Sequence, residues 1–346
     1  MNISALEHEL YDYCSRYDIF GQIRVTLKDD ILLEFQHGMA DRENGVPFSD
    51  ASVFSFYSIS KQFCSMAVMK LFEKGLLDLQ SHPGKYLPEA SAFNDRVTLW
   101  NLIHHTSGIP DCEQSEDFRR THLPAVSSRI RSDIEELSHY PQMFEPETDA
   151  LYINTGFVIA SLIIENITGE PYEVFMQREI LDPLGMQKAS IDLEGKVIPG
   201  RVCGYEKDPE TGCINPVPRC LNWMKGAGDV TGTVSDLYML NREIKSPHVL
   251  QKSSWDIILS PESLNNKGMG CTITDWHGKK RITHNGGHIG FRTLHIQLPS
   301  DDFDIIMLSN SGFHNESRDD ISEIIHRHMY WTGGSDGVIE LDKGYI

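Results

Sequence analysis

The chain has 346 residues, of which 50 are acidic and 31 basic, so its net charge near neutral pH is −19. Hydrophobic residues make up 40% of the sequence and charged residues 23%, which is typical of a globular protein with a large core. The acidic balance and the lack of a basic run disfavour a nucleic-acid partner and binding to anionic membranes. No stretch approaches the roughly 18 apolar residues that a membrane-spanning segment requires.

The amino-terminal residues and the cysteines indicate a cytoplasmic protein. Residues 1–18, MNISALEHELYDYCSRYD, lack the cationic and apolar regions of a signal peptide, and their apolar residues follow helical spacing. The seven cysteines are scattered and contain no C-x-x-C pair, which is typical of reduced structural thiols. We therefore expect a cytoplasmic location, and export of a longer precursor stays an alternative.

The next elements along the chain are a hairpin and a helix. Residues 22–38 alternate apolar and polar side chains on either side of Asp29 and Asp30, which predicts two strands with a turn between them. From Ser58 to Leu77 an apolar stripe with helical spacing predicts a helix, and Gly75 marks its end.

The rest of the chain contains helices in the middle and strands near the end. Helices are predicted in segments 97–105, 155–181 and 234–244. Strands are predicted in segments 270–275, 280–287, 291–298 and 303–310, followed by a last helix in 316–331. This order predicts an α/β fold with an antiparallel sheet flanked by N- and C-terminal helices. Residues 1–75 and 265–346 would form a discontinuous α/β domain, residues 76–264 a mainly helical inserted domain, and the cleft between them the active site.

Ser58 and Lys61 are the first candidates for chemistry, within SFYSISKQF at residues 55–63. A spacing of three places both side chains on one helix face, and a serine at a helix start lies near free N–H groups. A serine hydroxyl attacks a carbonyl when a base takes its proton, and a nearby amine can do this. However, Ser-x-x-Lys is expected about once by chance in a chain of this size. The pattern alone therefore does not distinguish a nucleophile from a polar helix start.

Two later segments carry further candidates. In LYINTGF, a loop could present Tyr152 and Asn154 into a cleft, and the alternative is a helix start with Asn154 or Thr155 as N-cap. THNGGHIGF carries polar residues and glycines on a predicted strand, namely His284, Asn285, Gly286 and Gly287. The alternative there is a glycine-rich turn with a hydrogen-bonded histidine.

FYSISKQF, LYINTGF and THNGGHIGF, in this order, resemble the three motifs of the serine β-lactamase and penicillin-binding-protein superfamily in its class C-like form. These motifs are Ser-x-x-Lys, Tyr-x-Asn and His-x-Gly. Connecting segments such as GMADRENGVPFS, VTLWNLIHHTSGIPD and GAGDVTGTVSDLYML are similar to that family too, so the resemblance covers about residues 37–310. It implies a β-lactamase/transpeptidase-like fold and a hydrolase that forms an acyl-enzyme.

The resemblance also implies a role for each matching residue. Ser58 would be the acylated nucleophile, and Lys61 and Tyr152 would jointly exchange its proton. Asn154 would hydrogen-bond both Lys61 and the substrate amide. The backbone N–H groups of Ser58 and Gly287 would form the oxyanion hole. Neither a metal nor another cofactor is implied.

The third motif departs from the β-lactamase pattern, since class C β-lactamases usually carry Lys-Thr-Gly where this chain has His284-Asn285-Gly286. A lysine is a permanent cation beside a substrate carboxylate, whereas a histidine is only partly charged near neutral pH. The motif thus resembles the peptidase and esterase branches more closely. Arg292 is a candidate for the missing cation, with a strand-surface arginine as the alternative. Trp223 is a candidate for lining the cleft, with an ordinary packed tryptophan as the alternative.

We therefore predict a serine hydrolase that acts through an acyl-enzyme on an ester or amide, such as an esterase, a D-amino-acid peptidase, a carboxypeptidase or a penicillin-binding protein. The expected substrate is a small molecule or a short peptide. One alternative is a true class C-like β-lactamase that hydrolyses β-lactam antibiotics. The other is a catalytically silent binding protein on the same fold. Neither the substrate's identity nor the oligomeric state follows from the sequence.

Overall fold

Strands from both ends of the chain form one antiparallel sheet of seven strands. The computed structural model describes residues 3–112, 127–193, 196–217 and 224–330. In chain order the strands are β1 (Gly21–Leu27), β2 (Asp30–His37), β3 (Met39–Asp41), β4 (Val46–Pro47), β5 (Phe54–Ser55), β6 (Ser190–Ile191), β7 (Tyr205–Lys207), β8 (Ile214–Pro216), β9 (Val230–Gly232), β10 (Lys267–Gly268), β11 (Cys271–Trp276), β12 (Lys279–His288), β13 (Phe291–Leu298) and β14 (Phe303–Ser309). The large sheet has the order β10-β11-β12-β13-β14-β1-β2, and the small sheets are β3-β4, β5-β9-β6 and β7-β8. The predicted α/β fold with an antiparallel sheet is confirmed.

Helices flank this sheet and fill the middle of the chain. They are α1 (Ile3–Tyr17), α2 (Ser60–Glu73), α3 (Leu99–Ile103), α4 (Ser127–Ser138), α5 (Thr155–Thr168), α6 (Tyr172–Met176), α7 (Val234–Lys245), α8 (Lys252–Ile258) and α9 (Ser317–Tyr330). The terminal helices α1 and α9 share one hydrophobic core with the sheet, including Leu6, Leu10, Val25, Ile305 and Ile321. Among the described residues, none of these helices combines the length and apolarity needed to cross a lipid bilayer.

Two sequence predictions of local structure were wrong in detail. The helix predicted over 155–181 is interrupted, because Gly169 adopts a φ of 70° and donates its N–H to the Glu165 carbonyl at 2.8 Å. This left-handed cap ends α5, and α6 then begins at Tyr172, directly after Pro171. The hairpin turn lies one residue earlier than predicted: Lys28 and Asp29 have positive φ values of 51° and 68°.

Helix α2 connects the sheet to the helical part of the molecule and positions the candidate nucleophile. Its apolar residues Phe63, Met66 and Ala67 are fully buried in the larger hydrophobic core, which also contains residues of α5. The hydroxyl of Ser60 accepts a hydrogen bond from the Val230 N–H at 2.9 Å, which ties the start of α2 to β9. Ser60 is therefore a structural serine. The division into two domains stays a prediction.

Candidate active site

Ser58 lies in a short 3-10 turn, Tyr57–Ile59, immediately before α2, and its side chain is partly exposed. The preceding Tyr57 has a φ of 49°, a left-handed conformation that is costly for an aromatic residue. Neighbouring contacts hold it there: its ring stacks on His288 at 5.5 Å and its hydroxyl donates to the Ile289 carbonyl at 3.3 Å. The end of β12 thus fixes the backbone conformation next to Ser58, and nothing in the sequence pattern signalled this.

Lys61 is fully buried and links the first two motifs. Its ammonium group donates to Ser58 Oγ at 3.2 Å, to Asn154 Oδ1 at 2.7 Å and to the Ala227 carbonyl at 2.8 Å. An ammonium has three N–H donors, and these three acceptors match them. The carbonyl of Ala227 was not predicted as part of the site, although its segment, GAGDVTG, belongs to a connector that resembles the family.

Asn154 occupies the N-cap position of a helix, as the helix-start alternative expected, but its side chain contacts Lys61. Helix α5 begins at Thr155, and the Asn154 side chain makes no capping hydrogen bond to it. Instead its oxygen accepts from Lys61, while its backbone N–H donates to Asp111 Oδ1 at 3.2 Å. Thr155 donates its hydroxyl to the Pro110 carbonyl at 3.1 Å. The helix-start alternative therefore does not explain the Asn154 side chain.

Tyr152 lies among basic side chains. The Lys61 Nζ is 4.9 Å from the centroid of its ring, and the Nζ of Lys267 is 5.7 Å away. The ring of His105 lies 4.5 Å from the Tyr152 ring, and that of His284 lies 6.3 Å from it. The structure thus brings residues of all three motifs close to one another. Two basic residues that were not predicted, His105 and Lys267, join them.

His284 and His105 are buried and neutral near neutral pH. Burial lowers the pKa of His284 well below its ordinary value, and the charges of Lys267 and Lys61 lower this pKa further. The pKa of His105 is lowered well below its ordinary value by burial and then by Lys61 and Lys267. His284 Nδ1 lies 2.6 Å from the Asn285 carbonyl, which can only accept, so this nitrogen carries the ring proton. The partial charge expected for His284 is therefore not supported.

The third motif runs directly against the turn that carries Ser58. A Cβ atom on Gly286 would lie 2.1 Å from Thr293 Oγ1 and 2.2 Å from the Phe56 carbonyl oxygen. The Thr293 hydroxyl itself donates to that carbonyl at 3.0 Å. Pairing of β11 with β12 stops at Thr283, whereas β13 continues to pair as far as His288. Residues 284–288 of β12, which carry the third motif, are therefore paired with β13 but not with β11.

Replacing Gly286 with alanine is expected to lower the free energy of unfolding by about 3 kcal/mol or more, because the new methyl group would overlap backbone and Thr293. Gly287→Ala is the matched control, since a Cβ there would lie 3.4 Å from its nearest neighbours, at Arg292 and Arg318. We expect a loss of about 1 kcal/mol or less for that variant. Urea unfolding of both proteins checks this, and equal losses would contradict the close approach at Gly286.

Arg292 makes contacts that favour its structural alternative. Its Nε donates to Asn315 Oδ1 at 2.8 Å, and its Nη1 donates to the carbonyls of His288 and Phe291 at 2.9 and 2.7 Å. Arg318, which the sequence did not single out, donates to the Gly286 carbonyl at 3.3 Å. A contact of Arg292 with substrate stays a prediction.

The remaining predicted residues are Asn285 and Trp223. The side-chain oxygen of Asn285 is buried and accepts no hydrogen bond within the described part of the chain. Trp223 lies outside the described residues. Within the four described ranges, no three His, Cys, Asp or Glu side chains converge in a way that could hold a metal ion.

The geometry agrees with a comparison to known families, in which the family model Beta-lactamase matches residues 20–328. The chain belongs to the beta-lactamase family. The relationship inferred from the three motifs is thereby confirmed, and the predicted serine hydrolase that acts through an acyl-enzyme on an ester or amide is consistent with it.

Several known proteins are similar to most of this chain. Penicillin-binding protein 4* of Bacillus subtilis is 29% identical over 317 residues, covering 85% of this chain and 69% of the relative. A D-aminopeptidase of Gluconobacter oxydans is 22% identical over 300 residues, covering 84% of this chain and 55% of the relative. The crystal structure of a D-amino acid amidase from Ochrobactrum anthropi SV3 superposes with a TM-score of 0.78 at 21% identity, covering 94% of this chain and 96% of that chain. The amidase structure shares the fold of this chain.

Proposed function

We propose that this protein is a serine hydrolase that forms an acyl-enzyme at Ser58 and hydrolyses amides or short peptides of D-amino acids. The observation that carries the proposal is the position of the buried Lys61 Nζ, which contacts Ser58 Oγ at 3.2 Å and Asn154 Oδ1 at 2.7 Å. A lysine with only a structural role could be held by buried acceptors alone, whereas Lys61 also contacts the partly exposed Ser58 hydroxyl. A serine held by an ammonium group beside a tyrosine has the partners that nucleophilic catalysis requires.

The proposed reaction begins with attack of Ser58 Oγ on the substrate carbonyl carbon. The hydroxyl proton passes to the Tyr152 and Lys61 pair, which delivers it to the leaving amine as the C–N bond breaks. Because the Lys61 ammonium already donates to three acceptors, Tyr152 in its phenolate form is the acceptor that this arrangement favours. Water then attacks the carbonyl carbon of the Ser58 ester and gives a proton to the same pair. The bond between that carbon and Ser58 Oγ breaks, the pair returns the proton to Oγ, and the acid is released. The backbone N–H groups of Ser58 and Gly287 would stabilise the oxyanion in both steps.

The substrate class is proposed from the relatives and from the third motif. A D-aminopeptidase and a D-amino acid amidase are among the similar proteins. The neutral His284 offers no permanent cation for a substrate carboxylate, which disfavours a true β-lactamase. We also propose that substrate binds in the cleft between the two predicted domains, where α2, the loop before α5 and β12 meet.

A cytoplasmic location is part of the proposal. Among the described residues, Cys14, Cys64 and Cys271 are buried thiols outside any disulfide, as expected of a protein in a reducing compartment.

The test is covalent labelling followed by a substrate panel. A fluorophosphonate should add one group per native chain, which peptide mass spectrometry should map to Ser58, and heat-denatured protein should not react. Among D- and L-amino-acid p-nitroanilides, the D series should be hydrolysed faster. Absence of labelling, or labelling elsewhere, would contradict the serine mechanism. Equal rates for D and L amides would contradict the substrate class, and rapid turnover of a chromogenic cephalosporin would favour the β-lactamase alternative.

A further inference from the structure

Lys267 is a second lysine beside Tyr152, and it belongs to none of the three motifs. Its Nζ lies 5.7 Å from the Tyr152 ring centroid, compared with 4.9 Å for Lys61. Lys61 comes from α2 and Lys267 from β10, so two distant segments of the chain bring positive charge to the same phenol ring.

Local hydrogen bonds hold Lys267 in place. Its N–H donates to Asn265 Oδ1 at 2.9 Å, and its carbonyl accepts from the Glu262 N–H at 2.8 Å. Its Nζ donates to Thr272 Oγ1 at 2.7 Å, across the β10–β11 pair. Both the backbone and the end of the side chain are therefore fixed.

The glycines that follow Lys267 allow this segment to lie between α8 and α2. A Cβ on Gly268 would lie 2.4 Å from the Ile258 carbonyl oxygen. Gly270 has a φ of 73°, and a Cβ there would lie 2.6 Å from the backbone of Lys61. The sequence Lys-Gly-Met-Gly thus places Lys267 on the segment that packs against the backbone of the other lysine.

We propose that Lys267 is a positioning residue that acts through Tyr152, because its charge favours the phenolate that takes the Ser58 proton. This inference rests on the proposed function, in which Tyr152 and Lys61 exchange that proton. It assigns to β10 the second positive charge that the neutral His284 does not supply.

Among the described residues, the histidines and the carboxylate near Tyr152 do not supply positive charge. The rings of His105 and His284 lie 4.5 and 6.3 Å from the Tyr152 ring, and burial lowers the pKa of each histidine well below its ordinary value. Asp111 contacts the Asn154 N–H two residues along the chain from Tyr152, so any charge on it would act in the opposite sense to the lysines. Within the described part of the chain, Lys61 and Lys267 are therefore the cations that act on this phenol.

Among the described residues, the titratable groups that act on Lys267 are Cys271 and Lys61. Cys271 is buried, which raises the pKa of its thiol to about 12, so this neighbour is neutral. The pKa of Lys267 is lowered by burial and then by the charge of Lys61, as expected for two close ammonium groups. Removing the charge of Lys267 should thus change the proton equilibria of both Tyr152 and Lys61.

The test is the pH dependence of Ser58 modification by a fluorophosphonate in Lys267→Met, measured as a second-order rate constant from pH 5 to about 10. The Lys267 Nζ lies 5.7 Å from the Tyr152 ring centroid, so the loss of its charge should raise the pH at which Tyr152 loses its proton. The rate of modification should rise with pH as Tyr152 loses its proton, and we expect this ascending limb to move up by about one pH unit in the variant. At pH values below the limb the variant should react about tenfold more slowly than wild type, and at pH values above it the two rates should be similar.

Three variants make the result specific. Lys267→Arg keeps the charge and should keep the ascending limb near its wild-type position. Lys267→Gln removes the charge and should shift the limb as Lys267→Met does. Lys280→Met removes an exposed lysine of the same sheet and should leave the limb in place. If Lys267→Met does not fold, Lys267→Gln carries the test. A limb that stays in place, or a rate lowered equally at every pH, would overturn the inference. Wild-type protein that does not react at all would instead contradict the proposed function.

Discussion

Ser58→Ala is expected to lower kcat/KM on the best amide substrate by about 10⁴-fold or more, because the variant has no nucleophile to form the acyl-enzyme. The fold should be unaffected: the Ser58 side chain is partly exposed, and Lys61 keeps its acceptors on Asn154 and Ala227. Turnover assays and urea unfolding of the purified variant measure the two effects separately.

Ser65→Ala is the matched control for that variant. Ser65 lies on the same helix and is fully buried, and its hydroxyl donates back to the Lys61 carbonyl at 2.9 Å. Its removal should leave kcat/KM within a few fold of wild type and leave fluorophosphonate labelling intact. Retention of labelling in Ser58→Ala would show that another residue is acylated, and the assignment of Ser58 would fail.

The parts of the fold that the sequence predicted well are those with a simple hydrophobic period. Strand β13 largely alternates apolar and polar residues, β14 contains a continuous apolar run, and most of the stripe on α2 is buried, so pattern and structure agree. The positions of turns and helix ends were predicted less accurately. The Gly-Glu-Pro stretch at 169–171 interrupts a helix whose apolar residues continue on both sides, so the hydrophobic pattern alone suggested one continuous element.

The candidate site was predictable where chemistry depends on side chains in recognisable order. Ser58, Lys61 and Asn154 are joined by hydrogen bonds that the motifs suggested. The contribution of Ala227 is a backbone carbonyl, which any residue could provide, so no side-chain pattern reveals it. The left-handed Tyr57 depends on contacts with β12, more than two hundred residues away in the sequence.

Lys267 was missed for a related reason. A lysine before Gly-Met-Gly in a short strand has the sequence pattern of an exposed loop residue. Its proximity to Tyr152 results from the close packing of Gly270 on the Lys61 backbone, which is a tertiary contact. Sequence spacing could therefore identify the motifs but not the groups that other segments bring to them.

Lys61→Met is expected to lower the rate of Ser58 acylation by about 10³-fold or more and also to destabilise the protein. Methionine fills much of the same volume but removes the charge next to Tyr152 and the donor to Ser58 Oγ. It also leaves the Asn154 and Ala227 oxygens buried without this donor, at a cost of about 1–3 kcal/mol each. Fluorophosphonate labelling rates and urea unfolding of the variant measure the two losses.

A double-mutant cycle separates the catalytic from the structural contribution of Lys61. Asn154→Ala removes the closest acceptor, so Lys61→Met and Asn154→Ala should be coupled in stability by about 1.5–3 kcal/mol, the range for hydrogen bonds to a charged group. The acylation rate of Asn154→Ala should fall less than that of Lys61→Met, because the ammonium and its contact to Ser58 remain. Lys61→Arg keeps the charge, but a planar guanidinium does not reproduce three divergent donors, so it should remain impaired. Wild-type acylation by Lys61→Met would mean that the buried ammonium is structural only, and that Tyr152 activates Ser58 without it.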